Sequence, residues 1–188
     1  MEEQGERLTR LRSIIKEAFS YFDKVGINTV FQEEVGTIMR YLGQFPDEME
    51  VADLLRDMQD EGVGGPSGSN VVPYDAFEKM MLRCLLQKRF DPDDEDNLLS
   101  AFRVLDPEGR GYIEVDQMKR YLASGSSALR EKEMSEFVDF AVDKEQGEAA
   151  RIYYDDYVAK LTSFVDRHIE NLYKDAKAPA LDKSAQGN

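Results

Sequence analysis

The sequence has no tryptophan, one cysteine and one histidine, and its 24 Lys and Arg are outnumbered by 38 Asp and Glu. The single thiol, Cys84, excludes an intrachain disulfide and suits a reducing compartment. It lies on an apolar helical face with no activating base nearby, so it is expected as a buried thiol rather than a nucleophile. One Cys and one His cannot assemble a Cys/His zinc cage or a histidine-dependent triad. His168, between acidic and apolar residues of the final helix, reads as a surface side chain. The net charge of −14 repels phosphates, and no basic stripe offsets it, so nucleic acid is not an expected partner. The glycines within 62–68 lack the Lys-Ser/Thr ending of a phosphate-cradling loop. No apolar run approaches the length of a membrane span, and charges throughout Met1–Arg12 leave no signal-peptide core. No nucleophile or acid–base set converges. The expectation is therefore no enzyme, no catalytic residue and no cofactor.

What is present is a helical pattern with 41% hydrophobic residues, enough for one or two real cores. Leu8, Leu11, Ile14, Ile15, Ala18, Phe19 and Phe22 recur at three- and four-residue steps, which predicts a helix over about 7–21. A second helix is expected over about 32–42. A third starts after Pro46, with Asp47 as N-cap and Glu50 completing a capping box. A fourth covers about 74–88 with Phe77, Met80, Met81, Cys84 and Leu85 on one side. Asp91 followed by Pro92 reads as the N-cap and first position of the next helix. The last apolar stripe, Tyr157 to Tyr173, is longer than one helix–loop–helix unit needs, which leaves it divided between core and docking surface.

The units repeat. Phe19-x-x-Phe22-Asp23 and Phe102-x-x-Leu105-Asp106 each end an apolar run on an Asp that opens a loop. A calcium loop of twelve residues needs oxygens at positions 1, 3, 5 and 12 and a sharp turn at 6. From Asp23 these are Asp23, Val25, Ile27 and Glu34, with Asn28 at the turn, so two ligand positions are aliphatic. The second loop, 61–70, is long and glycine-rich, and its position 12 is Ala76. The third, Asp106–Gln117, keeps Asp106, Glu108 and Gly111 but has Arg110 at position 5 and Gln117 at position 12. The fourth, from Asp143 to Asp156, is two residues too long and lacks spaced ligands. No bound metal is expected. Val30, Val72, Ile113 and Ile152 stand at the β-branched position 8, where paired loops join in a short ribbon.

These stretches resemble calmodulin, above all Lys16–Asp23 and Val35–Gln44, and the four-unit pattern covers about residues 7–174. Within calmodulin-like proteins the chain resembles the EF-hand subunit family of the axonemal nexin–dynein regulatory complex. The residues that carry this are Glu34–Gly43, Leu85–Phe90, Ala101–Asp106 and Arg110–Ile113. The resemblance implies a structural subunit of motile cilia, in the cytoplasm and its axonemal cytoskeleton, clamped on helices of larger complex members.

The expected fold is all-α and calmodulin-like, with two lobes of paired EF-hand units. The expected divisions are a flexible 1–6, an N-terminal pair over 7–90, a C-terminal pair with its extended last helix over 91–174, and a flexible tail over 175–188. The expected function is a calcium-independent clamp on amphipathic or coiled-coil helices of larger axonemal proteins, within a hetero-complex. Its groove residues are Phe19, Met39, Leu42, Met80, Met81, Phe102, Met118, Leu122, Phe137 and Leu161. The alternatives are a low-affinity calcium sensor acting through Asp106–Gln117, or a light chain binding IQ-like helices of a cytoskeletal motor.

Overall fold

Apolar residues three and four apart put one face of a helix into a core. α1 (Glu2–Phe22) does this with Leu11, Ile15, Ala18 and Phe19, all buried. The computed structural model describes residues 2–62, 69–125, 128–142 and 150–174. The inner part of the glycine-rich loop, residues 143–149 of the fourth loop and the tail from 175 lie outside the described residues. α1 takes in residues expected as a flexible start. Thr9 bonds the Gly5 carbonyl at 2.9 Å and Arg10 meets Glu6 one turn away, so local pairs extend the helix.

The order continues β1 (Thr29–Phe31), α2 (Gln32–Tyr41), α3 (Glu48–Asp60), β2 (Val71–Pro73) and α4 (Tyr74–Gln87). Then come α5 (Glu95–Leu105), β3 (Tyr112–Glu114), α6 (Val115–Leu122), α7 (Glu131–Ala141), β4 (Arg151–Tyr153) and α8 (Tyr154–Tyr173). β1 pairs antiparallel with β2, and β3 with β4. Val30 faces Val72 and Ile113 faces Ile152, the four residues that the loop spacing assigns to the ribbons. A three-residue strand is not stable alone. These four side chains are almost fully buried, so each ribbon is held by the core beneath it.

By contact the chain forms two units, Met1–Asp91 with Arg167–Asn188, and Pro92–Asp166. The first has a sealed core. Phe19, Val35, Ile38, Met39, Leu42, Phe77, Met80 and Met81 are each 0% exposed. Burying one such side chain contributes about 1.5–3 kcal/mol before entropy is counted. Cys84 lies in this core as expected, its Sγ 3.7 Å from the Met80 sulfur, and burial pushes its thiol pKa up against the opposing pull of Arg89 and Arg83. The second unit has a thinner core of Phe102, Ile113, Val115, Met118, Ile152, Tyr154 and Val158. Leu122, Phe137, Val138 and Tyr157 pack around it only half-buried, and α7 buries none of its residues fully.

Two local expectations change. Asp47 does cap α3, with reciprocal 2.8 Å bonds to Glu50. Asp91, however, does not cap α5. Asp94 does, accepting from the Asn97 N–H at 2.8 Å. Asp91 is engaged instead by Gln44, whose Nε2 donates to its Oδ1 at 2.8 Å. The end of α8 also departs from the expected C-terminal pair: from Arg167 onward it groups with the first unit, where Leu172 and Tyr173 find partners.

Candidate partner-binding site

An EF-hand loop is either closed around a cation or held by something that replaces one. In the first loop Asp23 turns both oxygens inward. Oδ1 accepts from the N–H groups of Gly26 (2.9 Å) and Ile27 (3.2 Å), and Oδ2 from that of Asn28 (2.8 Å). Burial raises its carboxyl pKa, but these backbone donors outweigh it and hold the group below its ordinary value. Asn28 takes φ +57, the left-handed turn its position predicts, and its side chain accepts from Lys16. Glu34, at position 12, is occupied as well: Lys24 Nζ lies 3.2 Å from Oε1, and the Phe31 N–H donates to Oε2 at 3.1 Å. Val25 and Ile27 point outward, 74% and 63% exposed.

The third loop uses the same device with other residues. Asp106 is buried, and its Oδ2 accepts from the Gly111 N–H at 2.8 Å and from the Tyr154 hydroxyl at 3.2 Å. Arg110 Nε stands 3.5 Å from Asp106 Oδ1 and 3.6 Å from Glu108 Oε2. The guanidinium thus joins the carboxylates of positions 1 and 3. Burial raises the Asp106 pKa, but the Gly111 and Arg110 N–H groups, the Tyr154 hydroxyl and the Arg110 side chain outweigh it, so it lies below the ordinary carboxylate range. Tyr154 sits at the start of α8, so its hydroxyl ties the third loop to the fourth.

Calcium requires six to eight oxygens, several of them charged. Among the described residues, the loop positions do not fit it. The first loop offers two aliphatic positions, the second an Ala76 that is buried at position 12, and the third a cation at position 5. Among the described residues no three His, Cys, Asp or Glu side chains converge as a metal cage.

The expected groove residues fall into two sets. Phe19, Met39, Leu42, Met80 and Met81 are gathered in the first unit's core with no exposed surface. Phe102 and Met118 lie in the second core, and Leu122 and Phe137 pack against it half-open to solvent. Leu161 is half-buried, and Phe164 one turn on is 63% exposed while its ring meets Phe140 edge-on.

Sequence reasoning misses three polar residues. Gln44 is 1% exposed and accepts from the Phe90 N–H while its amide bonds Asp91, so it fastens the α2–α3 connection to the chain beyond α4. His168 is not a free surface side chain. Its ring lies edge-on against Tyr41, and Nε2 is 2.7 Å from the Tyr41 carbonyl oxygen. Tyr173 donates its hydroxyl to the Leu42 carbonyl at 2.7 Å. For His168 and Tyr173 the advance signal is the apolar stripe that outruns its unit, and Gln44 has none.

A mouse (Mus musculus) protein named dynein regulatory complex protein 8 is 35% identical over 154 residues, which covers 82% of this chain and 89% of that protein. The chain belongs to the dynein regulatory complex protein 8 family. The Chlamydomonas reinhardtii member is 29% identical over 166 residues, covering 87% of this chain and 97% of that protein. The Homo sapiens member is 40% identical over 108 residues, and the match spans 38% of its length. No family model matches the chain. Among solved structures, the Physarum polycephalum myosin II regulatory domain is similar at TM-score 0.62 and 26% identity, over 78% of this chain and 91% of that one. Mlc1p bound to IQ2 of Myo2p, a class V myosin, is similar at TM-score 0.59 and 19% identity, over 78% and 95%, a likeness of fold. Family membership and the light-chain-like fold agree with the calmodulin-like reading of the repeats.

Proposed function

We propose that this protein is a non-enzymatic, calcium-independent structural subunit of a dynein regulatory complex in the axoneme of cilia or flagella, where it holds helical segments of larger members. The observation that carries the reading is that the loop carboxylates are already engaged within the chain, Asp23 by backbone N–H groups, Glu34 by Lys24 and Asp106 by Arg110, in a chain of this family. A sensor opens when calcium enters its loops. A loop whose carboxylates are already satisfied from within the chain lacks that switch, so its shape does not depend on calcium.

The second unit supplies the proposed groove, through Phe102, Met118, Leu122, Phe137 and Leu161. Leu122, Phe137 and Leu161 are half-open without any rearrangement, while Phe102 and Met118 lie in the core. The first unit's set, Phe19, Met39, Leu42, Met80 and Met81, would join a groove only if that lobe opened. The acidic chain, at −14, favours a basic amphipathic helix as the occupant. The light-chain neighbours support helix gripping as a use of this fold, and the motor light-chain alternative rests on that likeness of fold alone.

The test is co-purification from axonemes in chelator and in calcium. Retention with the complex in both is expected. Release by chelator alone, with retention in calcium, would overturn the constitutive reading and restore the sensor.

A further inference from the structure

An α-helix leaves its last carbonyls without donors of its own. At the end of α2, Tyr41 and Leu42 have theirs supplied from the end of α8, within the first unit. His168 Nε2 lies 2.7 Å from the Tyr41 oxygen, and since a carbonyl only accepts, Nε2 carries the hydrogen. The Tyr173 hydroxyl donates to the Leu42 oxygen at 2.7 Å. Between these two anchors Ile169 lies over Gly43 so closely that a Cβ there would stand 3.0 Å from its Cγ1. Leu172 packs against the sealed core. Positions 168, 169, 172 and 173 form one helical face, while Glu170 and Asn171 are exposed. Burial, with the Asp91 charge adding to it, raises the Tyr173 pKa and keeps the phenol a neutral donor.

The docked face remains half-buried at all four positions, unlike the fully buried residues beneath it. Its grip is two hydrogen bonds, one ring contact and two aliphatic side chains, which is the low-stability end of a fold and open to local release.

We infer that His168–Tyr173 is a self-docking latch that fills a helix-binding site at the C-terminal end of α2. The site takes a helical face with an aliphatic pair flanked by two ring donors. A partner helix of that chemistry gains it by displacing the chain's own segment, so the latch sets a threshold for binding there.

The test uses full-length protein and, as probe, a fluorescein-labelled peptide with the sequence of residues 160–174. Wild type, whose site is occupied, should bind it weakly. Ile169→Asp with Leu172→Asp should free the site and tighten binding at least tenfold, and Tyr173→Phe should tighten it by a smaller factor. Adding Gly43→Ala to the double variant should reverse the gain, since the methyl group intrudes where Ile169 must lie. Equal affinity for wild type and the double variant, absent binding included, overturns the latch. So does a gain that Gly43→Ala leaves intact, which would place the peptide elsewhere. If circular dichroism finds the double variant unfolded, Tyr173→Phe decides, and an unchanged affinity in that variant overturns the proposal.

Discussion

Arg110 is the residue at which the third loop departs furthest from a calcium site. A cation at position 5 repels a divalent ion, and in place it neutralises Asp106 and Glu108. Replacing it by Ser and Gln117 by Glu restores oxygens at positions 5 and 12. Titration calorimetry should then detect calcium binding with Kd on the order of 10⁻⁴ M, in the weak part of the EF-hand range, while wild type gives no saturable heat. Asp106 itself sets a pH dependence. Its folded pKa is lowered, so the stability it contributes is fully present above its unfolded value of about 3.9 and fades as pH falls through the lower folded value. Asp106→Asn should lower the urea midpoint at pH 7, and the difference from wild type should shrink as the pH falls below 4. An undiminished difference in acid would mean that the carboxylate charge is not what holds the loop. The sequence made Arg110 suspect as a misplaced cation. Its partners, and Tyr154 reaching from the far side of the unit, become visible only when the ribbon brings two loops together.

At the scale of elements, short-range signals read well. The ribbon register, Val30 against Val72 and Ile113 against Ile152, follows from loop spacing, and the Asp47–Glu50 box follows from a four-residue motif. Asp47→Ala should cost about 1 kcal/mol, the usual loss for an N-cap, measured by urea unfolding. The misread cap at Asp91 has a long-range cause, since the carboxylate that local rules assign to a helix start is taken by Gln44. Gly43 is similar. Nothing in the sequence around it announces that α8 will pass over it, yet its φ of +78 and the nearness of Ile169 make it the receiving point. Gly43→Ala should cost about 1 kcal/mol for the left-handed backbone, plus whatever the displaced Ile169 loses. Hydrogen exchange should then speed up over 167–173 more than over α1. A uniform change across the chain would mean that the glycine supports the lobe and not the docked segment.

Over the whole molecule, the two units differ in how far their cores are closed, and the proposed groove belongs to the more open one. The repeats pointed to two lobes without ranking their openness, because the sequence marks apolar positions without marking which remain open. In the first unit Met80 and Met81 are 0% exposed, so they behave as core. Met80→Ser with Met81→Ser would leave cavities and bury hydroxyl groups, and even truncation to Ala costs about 2–5 kcal/mol at such sites. That variant should melt far below wild type and lose its partner through unfolding. In the second unit Leu122 and Phe137 are half-open, and α7 contributes no fully buried residue. Leu122→Asp with Phe137→Asp should therefore leave the first unit's helical signal and the main melting transition close to wild type, while retention on axonemes falls at least tenfold. Each variant is measured for circular dichroism, melting and axonemal co-sedimentation in the same buffer with chelator. If the second-unit variant stays bound as wild type does, the groove is not there, and the partner helix must grip a surface outside the apolar opening of that lobe.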